Sequence, residues 1–139
     1  MTATHIIVAA VLIISASTVG ANPTILEGTV TKVRDGDTIE VGRIPIRLNG
    51  VSAPEMNEPL GPKAKAFMAD LVMGKRVRCE LDGSSTHDRF VGACYLHGRD
   101  IGEAVIKAGL ALDCPRYSRG RYRRFEVDGV VITLPGYCK

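Results

Sequence analysis

Five arginines lie close together towards the end of the chain, within a stretch of nine residues. They are interleaved with Tyr117 and Tyr122, and they are Arg116, Arg119, Arg121, Arg123 and Arg124. Guanidinium groups mixed with aromatic rings are typical of a strip that binds a polyanion, although a solvated tail has the same composition. The net charge is only +3, so the prediction of polyanion binding depends on this local cluster. Nucleic acids and acidic polysaccharides both fit it.

A second group of polar residues lies in the first half of the chain: the Asp35-Gly36-Asp37 segment, Arg47 and Glu55. The segment is either a hairpin turn built around a glycine with positive φ or part of a metal site. Arg47 is either an exposed strand residue or a functional one. Glu55 is either a solvated loop carboxylate or a functional one. Taken singly, these features do not choose between the alternatives.

The N-terminal segment is typical of a signal peptide. An apolar run of eleven residues, Ile6 to Ala16, contains no Lys or Arg and is followed by small residues up to Ala21. This length suits a signal-peptide core and is short for a membrane span. We therefore expect residues 1–21 to be removed, which leaves a periplasmic or secreted chain without a transmembrane segment. A retained membrane anchor is the alternative, because His5 is the only basic side chain in the n-region.

Four cysteines follow the predicted signal peptide: Cys79, Cys94, Cys114 and Cys138. An even number in an exported chain favours disulfides. Cys79 and Cys94 fall on two predicted strands that flank a polar loop, where cross-strand pairing would bring their side chains together. Cys114–Cys138 would then tie the tail back to the domain. Zinc binding with the nearby histidines is the alternative, but the CxxC spacing of structural zinc sites is missing.

Hydrophobic periodicity predicts one small α+β domain, since 139 residues with 45% apolar side chains allow a single core. Strands are expected at 24–33, 38–51 with a break at 42–43, 77–81 and 93–96, and helices at 61–73 and 101–108. Arg47 then lies on a strand whose alternate residues, Ile44, Ile46 and Leu48, face the core. Three strands, a helix, two strands and a helix suit a closed β-barrel with the element order of an OB-fold.

Four segments of the chain resemble the staphylococcal nuclease (thermonuclease) family in order and spacing. They are Asp35 to Thr38, Ile46 to Glu55, Gly61 to Phe67, and stretches between Asp88 and Ala111. The resemblance implies that residues 22–139 form a five-stranded OB-fold barrel with helices. The last part of this domain, from about residue 113, is expected to be an Arg-rich tail tied by a disulfide. It also implies hydrolysis of DNA or RNA phosphodiesters with calcium, a glutamate that acts on water and two arginines that bind phosphate.

The resemblance assigns roles to individual residues. Asp37 matches a calcium-binding aspartate, Arg47 the first phosphate-binding arginine and Glu55 the general base. Ser52 stands in place of a second calcium aspartate, and Gly92 in place of the second arginine. Losing a carboxylate lowers the charge of a calcium site, and losing a transition-state arginine slows phosphoryl transfer by factors on the order of 10³ to 10⁵. We therefore expect a weak Ca²⁺ site and weak or absent metal-dependent endonuclease activity, which leaves open whether the protein is an enzyme.

Arg89 matches a family position that often carries a basic side chain, so the resemblance implies a contact with phosphate or polyanion. An ion pair with Asp88 or simple solvation of the side chain is the alternative. Without catalysis, the domain would be a module that binds nucleic acid or another polyanion. A third hypothesis is an accessory role in exopolysaccharide biosynthesis of the succinoglycan type, because residues 114–118 and 135–138 resemble exported nuclease-like proteins of rhizobial type. We expect a monomer in each case.

Overall fold

Eight β-strands, three α-helices and two short 3₁₀ turns make up the described part of the chain, which is residues 22–139 of the computed structural model. In chain order they are β1 (Thr24–Asp35), β2 (Thr38–Val41), β3 (Ile44–Leu48), β4 (Val51–Ser52), α1 (Gly61–Val72), β5 (Arg76–Thr86), β6 (Arg89–Leu96), β7 (Arg99–Asp100), α2 (Ile101–Lys107), β8 (Leu112–Asp113), α3 (Pro115–Ser118) and 3₁₀ turns at Arg123–Phe125 and Gly136–Cys138. The predicted signal peptide lies outside these residues.

Five of the strands close into a barrel. The main sheet has the order β3-β2-β1-β5-β6-β7, and β3 also pairs with β6, so that β1, β2, β3, β6 and β5 form a ring. The β3–β6 pairing is parallel, whereas the other pairings in this sheet are antiparallel. The predicted five-stranded barrel is therefore confirmed. Its closure brings β3, which carries Arg47, beside β6, which begins at Arg89.

Alternate strand residues fill the barrel, and α1 covers it. Ile46 and Leu48 of β3 are buried together with Met68 of α1 in one core cluster. Since successive side chains of a strand point to opposite faces, Arg47 is directed out of this core. Ile44 was expected on the buried face but is 36% exposed, because it is the first residue of β3, at the edge of the barrel.

The β5–β6 hairpin is longer than the sequence predicts. A loop is expected at 82–89, whereas both strands continue and leave only His87 and Asp88 in the turn, between the paired residues Thr86 and Arg89. The loop prediction is wrong because it depends on side-chain polarity, whereas backbone hydrogen bonds extend the strands beyond the apolar core. The short turn decides where Arg89 lies.

Both predicted disulfides are present. Cys79–Cys94 joins directly opposed residues of β5 and β6, and Cys114–Cys138 ties the C-terminal 3₁₀ turn to the residue after β8. All four cysteines are buried. Disulfides form and persist in oxidising compartments, so these bonds are compatible with export. Among residues 22–139, no helix combines the length and the apolar character needed to cross a membrane.

Asp100 holds the tail against α2. Its Oδ1 atom caps the helix by accepting hydrogen bonds from the amides of Gly102 at 2.8 Å and Glu103 at 3.3 Å. Its Oδ2 atom accepts a hydrogen bond from the hydroxyl of Tyr122 at 2.9 Å and lies 2.6 Å from Nη2 of Arg121. Tyr122 is only 2% exposed. One carboxylate thus joins the start of a helix to a buried tyrosine of the tail.

Replacing Tyr122 with Phe is expected to lower the free energy of unfolding by about 1–2 kcal/mol near neutral pH, because Asp100 loses a hydrogen bond. Burial raises the pKa of Tyr122 well above its ordinary value. Above about pH 10 the unfolded tyrosine loses its proton while the folded one keeps it, so the wild-type protein loses stability that Tyr122→Phe does not lose. Urea unfolding of both proteins over rising pH should show their difference shrinking; a constant difference would contradict the argument.

Gly92 of β6 lies where a side chain has no room. A Cβ atom would be 2.5 Å from the carbonyl oxygen of Glu80, and Gly92 is paired with Leu48 on one side and Leu81 on the other. We expect Gly92→Ala to lower the free energy of unfolding by about 1–3 kcal/mol, as overpacking does. Gly136→Ala is the control, since nothing lies within 4 Å of its Cβ position. Equal thermal stabilities of the two variants would show that Gly92 is not constrained.

Candidate active site

The turn between β1 and β2 is packed tightly against the rest of the domain. The amide of Asp37 donates a hydrogen bond to Asp35 Oδ1 at 3.0 Å. A Cβ atom on Gly36 would lie 2.7 Å from Cβ of Ala53 and 2.8 Å from Cβ of Ala64 in α1. The predicted hairpin turn is present, but Gly36 does not have the positive φ expected of it. A glycine is needed here because the turn packs closely against Ala53 and Ala64. The same packing buries Asp37, which is 7% exposed.

The carboxylate of Asp37 joins three segments of the chain. Oδ1 accepts a hydrogen bond from the hydroxyl of Thr38 at 3.1 Å, and Oδ2 accepts one from the amide of Ala53 at 2.9 Å. Oδ2 also lies 3.1 Å from Nη2 of Arg47, whose Nη1 donates to the carbonyl oxygen of Leu48 at 2.7 Å. The guanidinium of Arg47 is therefore held in one orientation at the mouth of the site.

Burial raises the pKa of the Asp37 carboxyl group to about 7, and the positive charge of Arg47 opposes this shift. The neighbouring carboxylate of Asp35 raises the pKa further through like-charge repulsion. Additional positive charge beside this pair would stabilise the ionised form of Asp37. The site is therefore one where a bound cation and a deprotonated Asp37 favour each other.

Arg89 reaches the same group of residues from β6. Its Nη1 donates a hydrogen bond to the hydroxyl oxygen of Thr38 at 3.1 Å, and that hydroxyl in turn donates to Asp37. The turn before Arg89 is held by an ion pair between Asp88 and Arg34 of β1, with 2.8 Å between Asp88 Oδ2 and Arg34 Nη1. Asp88 thus pairs with Arg34, whereas the sequence alternative was a pair with Arg89. The two guanidinium groups of Arg47 and Arg89 both contact the Asp37–Thr38 pair.

Gly92 does not occupy the position from which a second arginine could reach this site. It is buried, and a Cβ atom there would meet the backbone of Glu80. The basic side chain beside Thr38 belongs to Arg89, three residues earlier. The interpretation that Gly92 stands in place of a second family arginine depends on counting along residues 82–89, which the structure shows as paired strands joined by a two-residue turn.

Strand β4 and the loop after it carry the other two expected site positions, Ser52 and Glu55. Ser52 is 2% exposed and is paired with Leu112 of β8. Glu55 is exposed, and its amide donates a hydrogen bond to the carboxylate of Glu58. The loop begins at the site, because the amide of Ala53 binds Asp37. Glu55 therefore follows an anchored residue by two positions and has its side chain in solvent.

The oxygen donors around Asp37 are fewer than calcium prefers. Calcium takes 6–8 oxygen ligands, and its affinity rises with the number of charged ligands. Asp35 and Asp37 supply two neighbouring carboxylates, but both oxygens of Asp37 already accept hydrogen bonds and Ser52 brings no charge. Within residues 22–139, no group of three or more His, Cys, Asp or Glu side chains is arranged to hold a metal ion.

The first part of the Arg-rich tail lies next to the strand that carries Ser52. The amide of Cys114 donates to the carbonyl oxygen of Gly50, and a Cβ atom on Gly50 would lie 2.5 Å from Cβ of Ser118. Helix α3 therefore packs on the turn between β3 and β4. Arg116 and Tyr117 of α3 and the following residue, Arg119, are exposed.

The rest of the tail does not form one continuous strip with α3. Arg121 is paired with Asp100, Arg124 lies 4.7 Å from the centre of the Phe125 ring, and Arg123 is exposed. Tyr122 is buried and cannot stack on a ligand. The cluster that is contiguous in sequence is therefore divided between two places on the surface.

The sequence analysis gave no individual role to Asp35, although it named the segment, and none to Thr38 or Arg34. Asp35 and Thr38 flank the Gly36-Asp37 pair, so the acidic residue repeated after one glycine was a usable signal. Arg34 had no such signal, because its partner Asp88 is 54 residues away in the chain.

Comparisons with known proteins agree with this architecture. The family model described as "Staphylococcal nuclease homologue" matches residues 45–127. An "Uncharacterized endonuclease" of Haemophilus influenzae is 32% identical over 94 residues, which are 64% of this chain and 53% of that protein. "Succinoglycan biosynthesis protein ExoI" of Rhizobium meliloti is 32% identical over 127 residues, which are 83% of this chain and 65% of that protein.

A "Probable staphylococcal-like nuclease CAN1" of Oryza sativa is 30% identical over 84 residues, which are 60% of this chain and 25% of that protein. The chain thus spans about half to two thirds of the two bacterial relatives and a quarter of the plant protein. Because the family model covers more than half of the chain and the barrel has the expected closure, the chain belongs to the staphylococcal nuclease homologue family.

Proposed function

We propose that this protein is an exported nuclease-type domain that binds a nucleic-acid phosphodiester at the Asp37 site and hydrolyses it weakly. The observation that carries the proposal is the approach of two guanidinium groups, from Arg47 and Arg89, to the Asp37–Thr38 pair. Guanidinium forks match the oxygen atoms of a phosphate and stabilise its growing charge during hydrolysis. Export is supported by two buried disulfides together with the predicted signal peptide.

In the proposed reaction Glu55 acts on water. The water oxygen forms a bond to phosphorus as the ester bond to the leaving sugar oxygen breaks. Glu55 takes the proton from water, and the leaving oxygen takes a proton from solvent. Arg47 and Arg89 hold the phosphate in line with the attacking water. A calcium ion held by Asp37 with Asp35 would add positive charge at a phosphate oxygen.

Weak activity is expected from the metal site rather than from a missing arginine. Ser52 contributes a hydroxyl where the family resemblance expects a carboxylate, which lowers the charge available to a cation. Asp37 must also share its oxygens between Arg47, Thr38 and Ala53. Both features favour loose cation binding, while phosphate binding by the arginines is retained.

A second candidate function is polyanion binding without hydrolysis. It is favoured by the contacts of both Asp37 oxygens with Thr38, Ala53 and Arg47, and by the exposed Arg116 and Arg119 beside the strand of Ser52. An accessory role in exopolysaccharide biosynthesis is one form of this function. The relative named for succinoglycan biosynthesis covers 83% of this chain, more than the 64% covered by the endonuclease of Haemophilus influenzae.

Replacing Arg89 with Ala should weaken binding of single-stranded DNA by at least about tenfold, the usual effect of losing a charged hydrogen-bond donor. Arg47→Ala should weaken it similarly but also removes the ion-pair partner of buried Asp37, so its melting temperature must be measured alongside. Arg43→Ala, in the exposed turn before β3, removes the same charge and should change the Kd less than about twofold. Fluorescence anisotropy of labelled DNA measures all three. Equal Kd values for Arg89→Ala and Arg43→Ala would remove Arg89 from the site.

Replacing Ser52 with Asp should raise calcium-dependent DNA cleavage by a factor on the order of ten or more, because it adds a carboxylate beside Asp37. The variant should be less stable without calcium, since two buried carboxylates repel, and calcium should raise its melting temperature more than that of the wild-type protein. Adding Glu55→Gln to the variant should abolish the gained cleavage. Gained cleavage that survives this substitution would exclude Glu55 as the base, and no calcium effect on melting would exclude the cation site.

A further inference from the structure

A groove with charged side chains along its walls lies on a part of the domain that contains none of the candidate active-site residues. It consists of two adjoining cavities of about 710 Å³ and 540 Å³, which share Tyr95 of β6 and Gly98 of the β6–β7 turn. Both volumes fall in the range of small-molecule binding sites, roughly 300–1,000 Å³. The first cavity extends over α2 to the 3₁₀ turn of the tail, and the second runs along β5. The walls of the groove are therefore formed by the barrel, α2 and the tail.

The walls of the groove carry carboxylates that are paired with cations. Arg121 Nη2 lies 2.6 Å from Asp100 Oδ2, and Arg78 Nη1 lies 2.5 Å from Glu80 Oε1. Lys107 pairs with Glu103 one helical turn away. Each pair offers N–H donors and oxygen acceptors side by side, while its net charge is zero. Such walls suit a ligand with many hydroxyl groups, which both donate and accept hydrogen bonds.

Two further cations line the groove without a carboxylate partner. Arg99 and Arg124 are exposed, and neither forms an ion pair within the part of the chain that the structure describes. Arg124 lies over the ring of Phe125, which orients its guanidinium beside the cavity. The other charged side chains of the groove are paired, so Arg99 and Arg124 give its walls a net charge of about +2. The groove can therefore bind a small number of anionic substituents.

Tyr95 lies where the two cavities meet. It is half-buried, and burial raises the pKa of its hydroxyl group. Among residues 22–139 this hydroxyl forms no side-chain hydrogen bond. An aromatic side chain with a free hydroxyl can pack against the C–H face of a sugar ring and bind one of its hydroxyl groups.

We propose that this groove binds an acidic oligosaccharide that carries few carboxylates among many hydroxyl groups. A nucleic acid fits the same groove less well, because every nucleotide brings a phosphate while four carboxylates line the walls: Glu27, Glu80, Asp100 and Glu103. Arg99 and Arg124 hold the acidic substituents, and Tyr95 with the paired side chains binds the sugar rings. This site is separate from the phosphodiester site proposed above, so either can exist without the other.

Calorimetric titration of the full chain with a hyaluronan oligosaccharide, whose acidic sugars alternate with neutral ones, tests the proposal. A maltooligosaccharide of similar length is the neutral probe, and a single-stranded DNA oligonucleotide is the nucleic-acid probe. We expect the acidic oligosaccharide to bind more tightly than the neutral one. The Arg99→Ala/Arg124→Ala variant should weaken its binding by at least about tenfold. Arg43→Ala/Lys63→Ala is the matched control, because it removes two exposed cations outside the groove.

Absence of hyaluronan binding to the wild-type protein, or an equal loss in the control, would overturn the proposal. DNA binding that depends on Arg99 and Arg124 and exceeds sugar binding would assign the groove to nucleic acid instead. If the double alanine variant melts at a lower temperature, Arg99→Gln/Arg124→Gln keeps polar side chains of similar packing and must give the same loss. Arg89→Ala must leave sugar binding unchanged, which separates failure of this site from failure of the phosphodiester site.

Discussion

The buried carboxylate of Asp37 is the interaction on which the candidate active site depends. It binds the amide of Ala53, the hydroxyl of Thr38 and the guanidinium of Arg47, and so it connects the β1–β2 turn to β3 and to the loop that leads to Glu55. A buried charge is tolerated only when it is paired and hydrogen-bonded, which this one is. The same contacts that make the burial possible set the positions of the side chains proposed to act on phosphate.

Barrel closure supplies the second constraint. The parallel pairing of β3 with β6 brings two arginines that are 42 positions apart in the numbering, Arg47 and Arg89, to one group of acceptors. Glycine makes the close approaches possible, at Gly36 under α1 and at Gly92 against the backbone of Glu80. The Cys79–Cys94 bond crosses the same β5–β6 hairpin that delivers Arg89. The placement of Arg47 and Arg89 beside Asp37 and Thr38 therefore depends on packing inside the barrel.

The C-terminal tail contacts the domain at two separate places. Its α3 helix packs on Gly50 near the candidate active site, whereas Tyr122 is hydrogen-bonded to Asp100 beside the groove that contains Tyr95. The Cys114–Cys138 bond holds the segment between them as one closed loop. An element without long regular structure is thus ordered by a disulfide, a buried tyrosine and a helix cap.

Local pattern was enough to determine much of this protein. The alternation of Ile46 and Leu48 with Arg47, the helix between Gly61 and Gly74, and the cross-strand cysteines all depend on neighbours within one element or one hairpin, where periodicity is a direct signal. The ordered motifs then identified the family fold. Asp37 and Arg47 were singled out as site candidates because the segments that carry them resemble the family in order and spacing.

Only the tertiary structure placed Arg89 beside Thr38, Gly92 against the backbone of Glu80 and Arg121 against Asp100. The predicted loop at 82–89 was wrong because hydrogen bonds between β5 and β6 determine the length of the turn. The polarity of the side chains gives no information about these backbone hydrogen bonds. The split of the Arg cluster and the partner of Arg34 are contacts between residues distant in sequence, and no local pattern encodes them. The sequence by itself determined the barrel and the first half of its site; the register of β6 and the folding back of the tail decided the rest, because both are set by pairing across the closed sheet.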